Sequence, residues 1–323
     1  MRILLLAPSP ARRDGIAAYA AVQAERLRGE GHQVEVLEVA PGPASLRRAA
    51  RLAARFDRVI VHFQPSLYFR PRAPWSKVAT AWAFLALCRR RQTEVLVHEA
   101  DPPVRGRPDY RILGWAFRAA PRLWFHTRAE VESLQGDYGI RVRWALAPHA
   151  EGIRVSPSGR DAARRSLGID PAATVFVCPG FLHPGKGFDR AIAAFRSVPG
   201  ARLYVVGSVR DPISPNVAYA SRLRELCAGV PGAELLEAFV TDEELDAWIA
   251  AADAVVLPYR RAWSSGMLAR AQLLGTPAIV SRVGGLPEQA MEADMVFEDD
   301  AGLAGAMRAV LAANAPRSER GAR

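Results

Sequence analysis

Short apolar runs and amphipathic stretches alternate along this chain, and the alternation runs its course twice. RILLLAP opens the first series, followed by a helix-length stretch from Ile16 to Glu30, HQVEVLEV, a stretch from Ala44 to Ala54, DRVIVHF, a stretch from Trp75 to Arg91, and TEVLVHEA. PRLWFHT and RVRWALAP carry it to about Pro148, and it restarts with TVFVCPG, ARLYVVGS, AELLEAF, AVVLPY and PAIVS. Nearly continuous apolar runs of this length suit strands buried on both faces, and strands separated by helical stretches pair in parallel through crossovers. The pattern predicts an α/β protein of two doubly wound, Rossmann-like domains facing each other across a cleft. A chain of 323 residues suits two cores of about 150 residues better than one. The expected domains are residues 1–150 and 151–313, with a Gly-, Pro- and Ser-containing linker around Glu151 to Gly159 and a disordered polar tail at 314–323.

Two strand ends in the second half lead into turns suited to phosphate. The stretch PYRRAWSSGMLARAQLLGTPAIVSRVGGLPE from Pro258 reads as a strand end, a Ser-Gly helix start, a helix and a second strand closing on a Gly-Gly loop. The first N–H groups of a helix lack intrahelical partners. Those of Ser265, Gly266 and Met267, with the helix dipole behind them, would make an anion site that needs no basic side chain. The stretch CPGFLHPGKGFDRAIAAF from Cys178 repeats the layout, with Lys186 held between Gly185 and Gly187. An ammonium there would meet a diphosphate whose charge grows as a bond to it breaks; the plainer alternative is a solvated lysine. Arg260, straight after AVVLPY, could grip a phosphate through two parallel hydrogen bonds. In the first half, Gly15 and Ile16 follow the first strand and open a helix, so their N–H groups would also suit a phosphate, although a glycine there can simply permit the turn.

Histidines recur near strand ends. His98 closes VLVHEAD at the carboxyl edge of the sheet, where open α/β proteins place ligands, with Glu99 and Asp101 as polar alternatives. His62 in VIVHF and His126 in WFHT occupy similar places, and His149 in APHAEG lies at the expected domain boundary. The residues alone do not rank them, because a buried, hydrogen-bonded histidine is an ordinary structural element.

Composition narrows the function by exclusion. Cys88, Cys178 and Cys227 are far apart and in no C-x-x-C pair, so neither a disulfide framework nor a zinc site is indicated. The N-terminal apolar run is too short for a signal sequence, and no run approaches the ~20 apolar residues of a membrane span. The longest, VATAWAFLALC from Val78 to Cys88, reads as a packed helix, with partial insertion at a membrane surface as the alternative. These features suggest a cytoplasmic protein with no metal and no tightly bound cofactor. The formal net charge of +10 falls in the first 150 residues and the remainder is close to neutral. Dispersed arginines without a stacking or zinc-finger motif do not suggest nucleic acid; they would allow peripheral contact of the N-terminal domain with the inner face of a membrane.

The C-terminal half resembles glycosyltransferase family 4, the retaining nucleotide-sugar enzymes of the GT-B fold. The resemblance is carried by GFLHPGKGFDRAI from Gly180, LYVVGS from Leu203, FVTDEELDAWIAAADAVVLPYR from Phe239 and SSGMLARAQLLGTPAIVSRVGGLPE from Ser264, and more loosely by GIAAYA at Gly15, VHEAD at Val97 and APHAEG at Ala147. It implies a hexosyltransferase moving a sugar from a UDP- or GDP-linked donor to a glycan, lipid-linked or small-molecule acceptor, in polysaccharide or glycoconjugate biosynthesis. It implies Lys186 at the diphosphate and His98 near the donor sugar as catalytic residues. The donor site implied comprises Gly15, Ile16, Gly180, Lys186, Arg260, Ser265, Gly266, Met267 and Leu268.

The chain departs from the family pattern in three places. Phe181 stands where arginine is common beside Gly180, and the two family glutamates spaced E-x7-E fall on Ala262 and Arg270. Loss of the first glutamate fits a Ser-Gly variant of the turn. A cation cannot accept a hydrogen bond from a hydroxyl as a carboxylate does, so Arg270 would meet a phosphate or project into solvent. These losses keep two other functions open: a non-catalytic GT-B protein that binds a nucleotide sugar or assists a partner transferase, and another GT-B enzyme such as a sugar-nucleotide epimerase or a phosphorylase.

Overall fold

The computed structural model describes residues 1–12, 15–156, 159–210 and 212–314. The chain divides into two compact units, Met1–Arg154 and Val155–Arg323. In the first, β1 (Arg2–Ala7), β2 (Gln33–Glu38), β3 (Arg58–Phe63), β4 (Thr93–Val97), β5 (Arg122–Phe125) and β6 (Trp144–Leu146) form one sheet in the order β2-β1-β3-β4-β5-β6. In the second, β7 (Val175–Pro179), β8 (Arg202–Gly207), β9 (Ala233–Glu237), β10 (Ala254–Leu257), β11 (Ala278–Ser281) and β12 (Met295–Phe297) run β12-β11-β10-β7-β8-β9. Among the described residues every strand pairing is parallel, as the alternation with helices requires.

Each strand order contains a point where the winding reverses, between β1 and β3 in the first unit and between β7 and β10 in the second. Loops leaving the sheet on either side of such a point diverge, and the crevice between them is where open α/β sheets take ligands. The order in the second unit is that of dinucleotide-binding sheets. This places the loop after β7, which carries Lys186, beside the loop after β10, which carries Arg260 and Ser265.

Strand burial follows position in the sheet. The interior strands β3, β7, β10 and β11 are buried at nearly every residue, whereas the edge strands β2, β6 and β9 are largely open to solvent. RVRWALAP accordingly shrinks to the three residues of β6. The helix Pro74–Cys88 buries Thr80, Ala81, Ala83, Phe84, Leu85, Leu87 and Cys88, with the Phe84 ring 4.9 Å from that of Phe63. It is a packed helix, and none of the described helices is long and apolar enough to cross a membrane.

In the second unit the core holds a buried ion pair. Arg164, fully buried, donates to the carbonyls of Ala251, Pro171 and Ala173 and pairs with Asp253 at 2.8 Å. Asp253 also accepts the N–H of Val175 at 2.7 Å, so the pair pins the helix Arg160–Leu167 to the start of β7.

The expected linker begins inside the first unit. His149–Gly152 forms a 3₁₀ turn, and a Cβ on Gly152 would lie 2.0 Å from the Tyr19 ring. Residues 157 and 158 of that linker, and residues 315–323 of the expected tail, lie outside the described residues; Asn314 ends the helix Asp300–Asn314.

Candidate functional site

The turn after β7 depends on positive φ at Gly180 and Gly187 and on close backbone approaches at Gly187 and Gly207. Gly180 has φ +123° and donates its N–H to the Val206 carbonyl at 2.9 Å. A Cβ on Gly207, at the end of β8, would lie 1.9 Å from the Gly180 oxygen. Pro184–Lys186 then forms a 3₁₀ turn capped by the His183 ring, which accepts the Gly185 N–H at 3.0 Å. Gly187, with φ +65°, sits so close to the loop after β10 that a Cβ would lie 2.1 Å from the Pro258 oxygen. The Arg260 N–H donates to the Gly185 carbonyl at 2.9 Å, tying the two loops together.

Lys186 leaves this clamped turn with its Nζ 3.9 Å from the centroid of the Tyr259 ring. The aromatic face orients the ammonium without neutralising it. Among the described residues no carboxylate pairs with it, so its charge stays available to an anion.

Arg260 behaves differently from expectation. Its Nη1 and Nη2 engage the two Asp189 oxygens at 2.7 and 2.8 Å, and Nη1 also donates to the Pro184 carbonyl at 3.0 Å. Asp189 additionally accepts the Tyr219 hydroxyl at 2.8 Å. Burial opposes the charge of Asp189, but the hydrogen bonds from Arg260 and Tyr219 and the Arg260 charge outweigh it and hold the carboxyl below the usual range. The guanidinium fork expected at a phosphate therefore braces the turn that carries Lys186.

The helix Gly266–Leu273 begins as the Ser-Gly sequence suggests, with two of its four candidate donors already in use. Ser265 is the N-cap, its Oγ accepting the Leu268 N–H at 3.2 Å, and its own N–H donates to the Gln289 side chain at 2.8 Å. The expectation of an unpaired Ser265 N–H is thus corrected. The half-buried Gly266 and Met267 retain the N–H groups of the first turn. The Gly-Gly loop closes over this start: Gly285 donates to the Trp263 carbonyl at 2.7 Å, and a Cβ on Gly284 would lie 1.8 Å from the Ala262 oxygen. A Cβ on Gly180 would lie 3.9 Å from the Met267 side chain, so the two phosphate-type turns are neighbours.

Arg270 neither meets an open anion site nor projects into solvent. It is 6% exposed, pairs with Asp246 at 2.7 Å and Asp242 at 3.3 Å, and donates to the Asp242 carbonyl at 3.1 Å. The position where the resemblance implies a second glutamate thus fastens the helix Gly266–Leu273 to the helix Asp242–Ala251.

In the first unit the histidines form a cluster that the sequence did not rank. His62, His98 and His126 lie at the carboxyl ends of the adjacent strands β3, β4 and β5, so the topology brings them together. His62 Nδ1 is 2.9 Å from His98 Nε2, and His62 Nε2 is 3.0 Å from Gln23 Oε1. His126 Nδ1 donates to the Ala147 carbonyl at 2.8 Å, and its ring stacks on His149 with centroids 4.0 Å apart. The Tyr19 ring turns toward all four, with centroids 5.4 to 5.8 Å away. His126 Nε2 and His149 Nδ1 are buried without partners. Burial disfavours the charged form of each, pushing His62 down to about 3, His126 to about 4 and His149 to about 3, with His98 also well below its ordinary value. The cluster is neutral at physiological pH, and no described group of His, Cys, Asp and Glu has the arrangement to hold a metal ion.

The Glu99 side chain and the Asp101 backbone are engaged elsewhere. Glu99 accepts the Gln64 amide at 3.0 Å and the Asp101 carbonyl accepts the Tyr138 hydroxyl at 3.0 Å. Gly15 and Ile16 open the helix Gly15–Gly29; a Cβ on Gly15 would meet nothing within 4 Å, so packing does not demand glycine there. Tyr19 and Gln23, one and two helical turns further along the same helix, gave no signal in the sequence. The signal available for the cluster was the recurrence of histidine at three successive strand ends.

Residues 173–313 match the family described as Glycosyl transferases group 1. The D-inositol 3-phosphate glycosyltransferase of Streptomyces bingchenggensis is 34% identical over 203 residues, which cover 58% of this chain and 44% of that protein. The chain therefore spans less than half the length of this relative. Among solved structures, the sucrose-phosphate synthase of Thermosynechococcus elongatus superposes with a TM-score of 0.76 at 16% identity, covering 98% of this chain and 90% of that one. Anabaena HepE in complex with UDP does so with a TM-score of 0.68 at 19% identity, covering 97% and 93%. Residues 173–313, which hold both phosphate-type turns, match the group 1 glycosyl transferases, and the two Rossmann-like units have the GT-B fold of the solved structures they resemble.

Proposed function

We propose that this protein is a retaining glycosyltransferase that binds a UDP- or GDP-linked sugar on its C-terminal unit and transfers the sugar to a glycan, lipid-linked or small-molecule acceptor. The observation that carries this proposal is Lys186, an ammonium with no carboxylate partner among the described residues, fixed over Tyr259 on a turn adjacent to the Gly266 and Met267 N–H groups. Lys186 takes the donor diphosphate and stabilises the charge that grows on it as the sugar leaves, while the helix start supplies fixed dipoles. The departing phosphate oxygen draws the proton from the acceptor hydroxyl, so the protein contributes position and charge rather than a nucleophile. His98 takes a hydroxyl of the transferred sugar. Arg260 acts through the Lys186 turn, and Gly180, at φ +123°, turns the chain from β7 into it, with Gly207 leaving room for the Gly180 carbonyl. The UDP bound to Anabaena HepE favours a uridine donor.

A screen of UDP- and GDP-sugars for released nucleotide, with and without simple acceptors, tests this proposal. Slow hydrolysis of at least one donor is expected, and none with any donor would contradict catalysis. The committed position of Arg270 and the absence of a carboxylate at Ala262 favour a second function, a donor-binding partner of another transferase. Nucleotide-sugar binding without hydrolysis would select it.

A lipid-linked acceptor is supported by the exposed indoles of Trp82 and Trp115, whose rings lie 6.1 Å apart with Arg111 stacked 5.2 Å over Trp115. Exposed indoles with an arginine over one of them suit the interface of an anionic membrane. Co-sedimentation with vesicles containing phosphatidylglycerol, weakened in Trp82→Ala/Trp115→Ala and absent with phosphatidylcholine alone, is the expected outcome; equal sedimentation of variant and wild type would exclude this surface.

A further inference from the structure

The three side chains Gln23, His62 and His98 form a hydrogen-bonded row whose polarity is set at one end. Gln23 turns its carbonyl oxygen to His62, and that oxygen can only accept, so the proton between them sits on His62 Nε2. A neutral imidazole carries one N–H, which leaves His62 Nδ1 as an acceptor. The 2.9 Å contact between His62 Nδ1 and His98 Nε2 then requires the proton on His98 Nε2. The two rings lie within 13° of parallel with centroids 5.2 Å apart, so they meet edge to edge across the N···N contact, as a bond directed along a ring lone pair demands. His98 Nδ1 is left as a bare lone pair, with no hydrogen-bond partner among the described residues, on a half-buried side chain just past the end of β4.

We propose that Gln23 and His62 are positioning residues that hold His98 in its Nε2–H tautomer, so that His98 presents Nδ1 as an acceptor for a hydroxyl of the sugar ligand. This rests on the glycosyltransferase function proposed above for its ligand, though not for its tautomer. His62 is buried in β3 and its carbonyl accepts the Tyr68 hydroxyl at 2.9 Å, which fixes the strand at the relay. The end of the row lies on the helix Gly15–Gly29, two turns from Gly15. Burial keeps His62 and His98 uncharged near neutral pH, so the row has one proton per ring and a single direction.

The tautomers are read in the full-length free protein by two-bond 1H–15N correlation with 15N-histidine, the His98 signals being assigned through their loss in His98→Asn. In wild type, His98 Nε2 is protonated and Nδ1 is not. Gln23→Met, which removes the acceptor, shifts His98 toward the Nδ1–H tautomer or an average of the two; Gln23→Glu, which keeps an acceptor, restores the wild-type pattern. Gln23→Met lowers the transfer rate on the order of 10-fold with unchanged affinity for UDP, a split that general damage to the fold would not give. Protonated Nδ1 in wild-type His98, or an unaltered pattern in Gln23→Met, overturns the relay. If no nucleotide sugar is turned over, the proposed function fails, and the spectra still decide the tautomer.

Discussion

Arg270 shows how a side chain can be legible in kind and illegible in place. The resemblance puts a family carboxylate at this position, but the partners of the arginine that stands there, Asp242 and Asp246, lie on the preceding helix 28 and 24 residues away and are joined to it only by the fold. Asp246 is 1% exposed and is raised toward protonation by burial, against the N–H of Ser156 and the charge of Arg270. Removing the arginine leaves that carboxylate buried without its cation. Arg270→Ala is expected to cost about 3 to 5 kcal/mol in denaturant unfolding, and the double replacement Arg270→Met/Asp246→Leu considerably less. A loss under about 1 kcal/mol in the single variant would show that the pair is not structural. Arg260 was likewise legible as a cation near the turn, whereas its engagement by Asp189 depends on a contact 71 residues distant.

At the scale of elements, the strand and helix pattern was readable because buried parallel strands are continuous apolar runs, and the errors fall at sheet edges, where solvent relaxes that rule. The phosphate-type turns were readable from glycine spacing. Which N–H groups they leave free was not, because Gln289 reaches Ser265 from another loop. Gly187 joins the two turns: an alanine there must accept φ +65° and a Cβ 2.1 Å from the Pro258 oxygen. Gly187→Ala is expected to lower stability by more than the 1 to 2 kcal/mol typical of a left-handed non-glycine residue, and to weaken nucleotide binding by displacing Lys186. Thermal unfolding and titration with UDP measure both; an alanine variant with wild-type values for each would show that the two loops are not clamped there. Ser265→Ala, which removes the N-cap, should cost about 1 kcal/mol by the same unfolding measurement.

For the molecule as a whole, the neutral histidine cluster sets a dependence on pH. His62, His98, His126 and His149 all have folded values below the 6.5 of an exposed histidine, so on acidification the unfolded chain takes up protons that the folded chain refuses. The stability they permit is complete above about pH 6.5 and is lost as pH falls toward 4 and 3, by up to about 1.4 kcal/mol per histidine for each pH unit. The melting temperature should stay level between pH 7 and 8 and drop steeply between pH 6 and 4, less steeply in His149→Phe; a level profile down to pH 4 would mean that the cluster is solvated. The central claim concerns the other unit, that Lys186 and the helix start beside it form a donor diphosphate site. It is tested most directly by calorimetric titration of wild type and Lys186→Ala with UDP, GDP and their sugar conjugates. The expected result is that at least one of these binds wild type and that loss of the charge-assisted bond to phosphate weakens it about 10- to 100-fold in Lys186→Ala. Absence of binding to every nucleotide, or equal affinity in the two proteins, would contradict it.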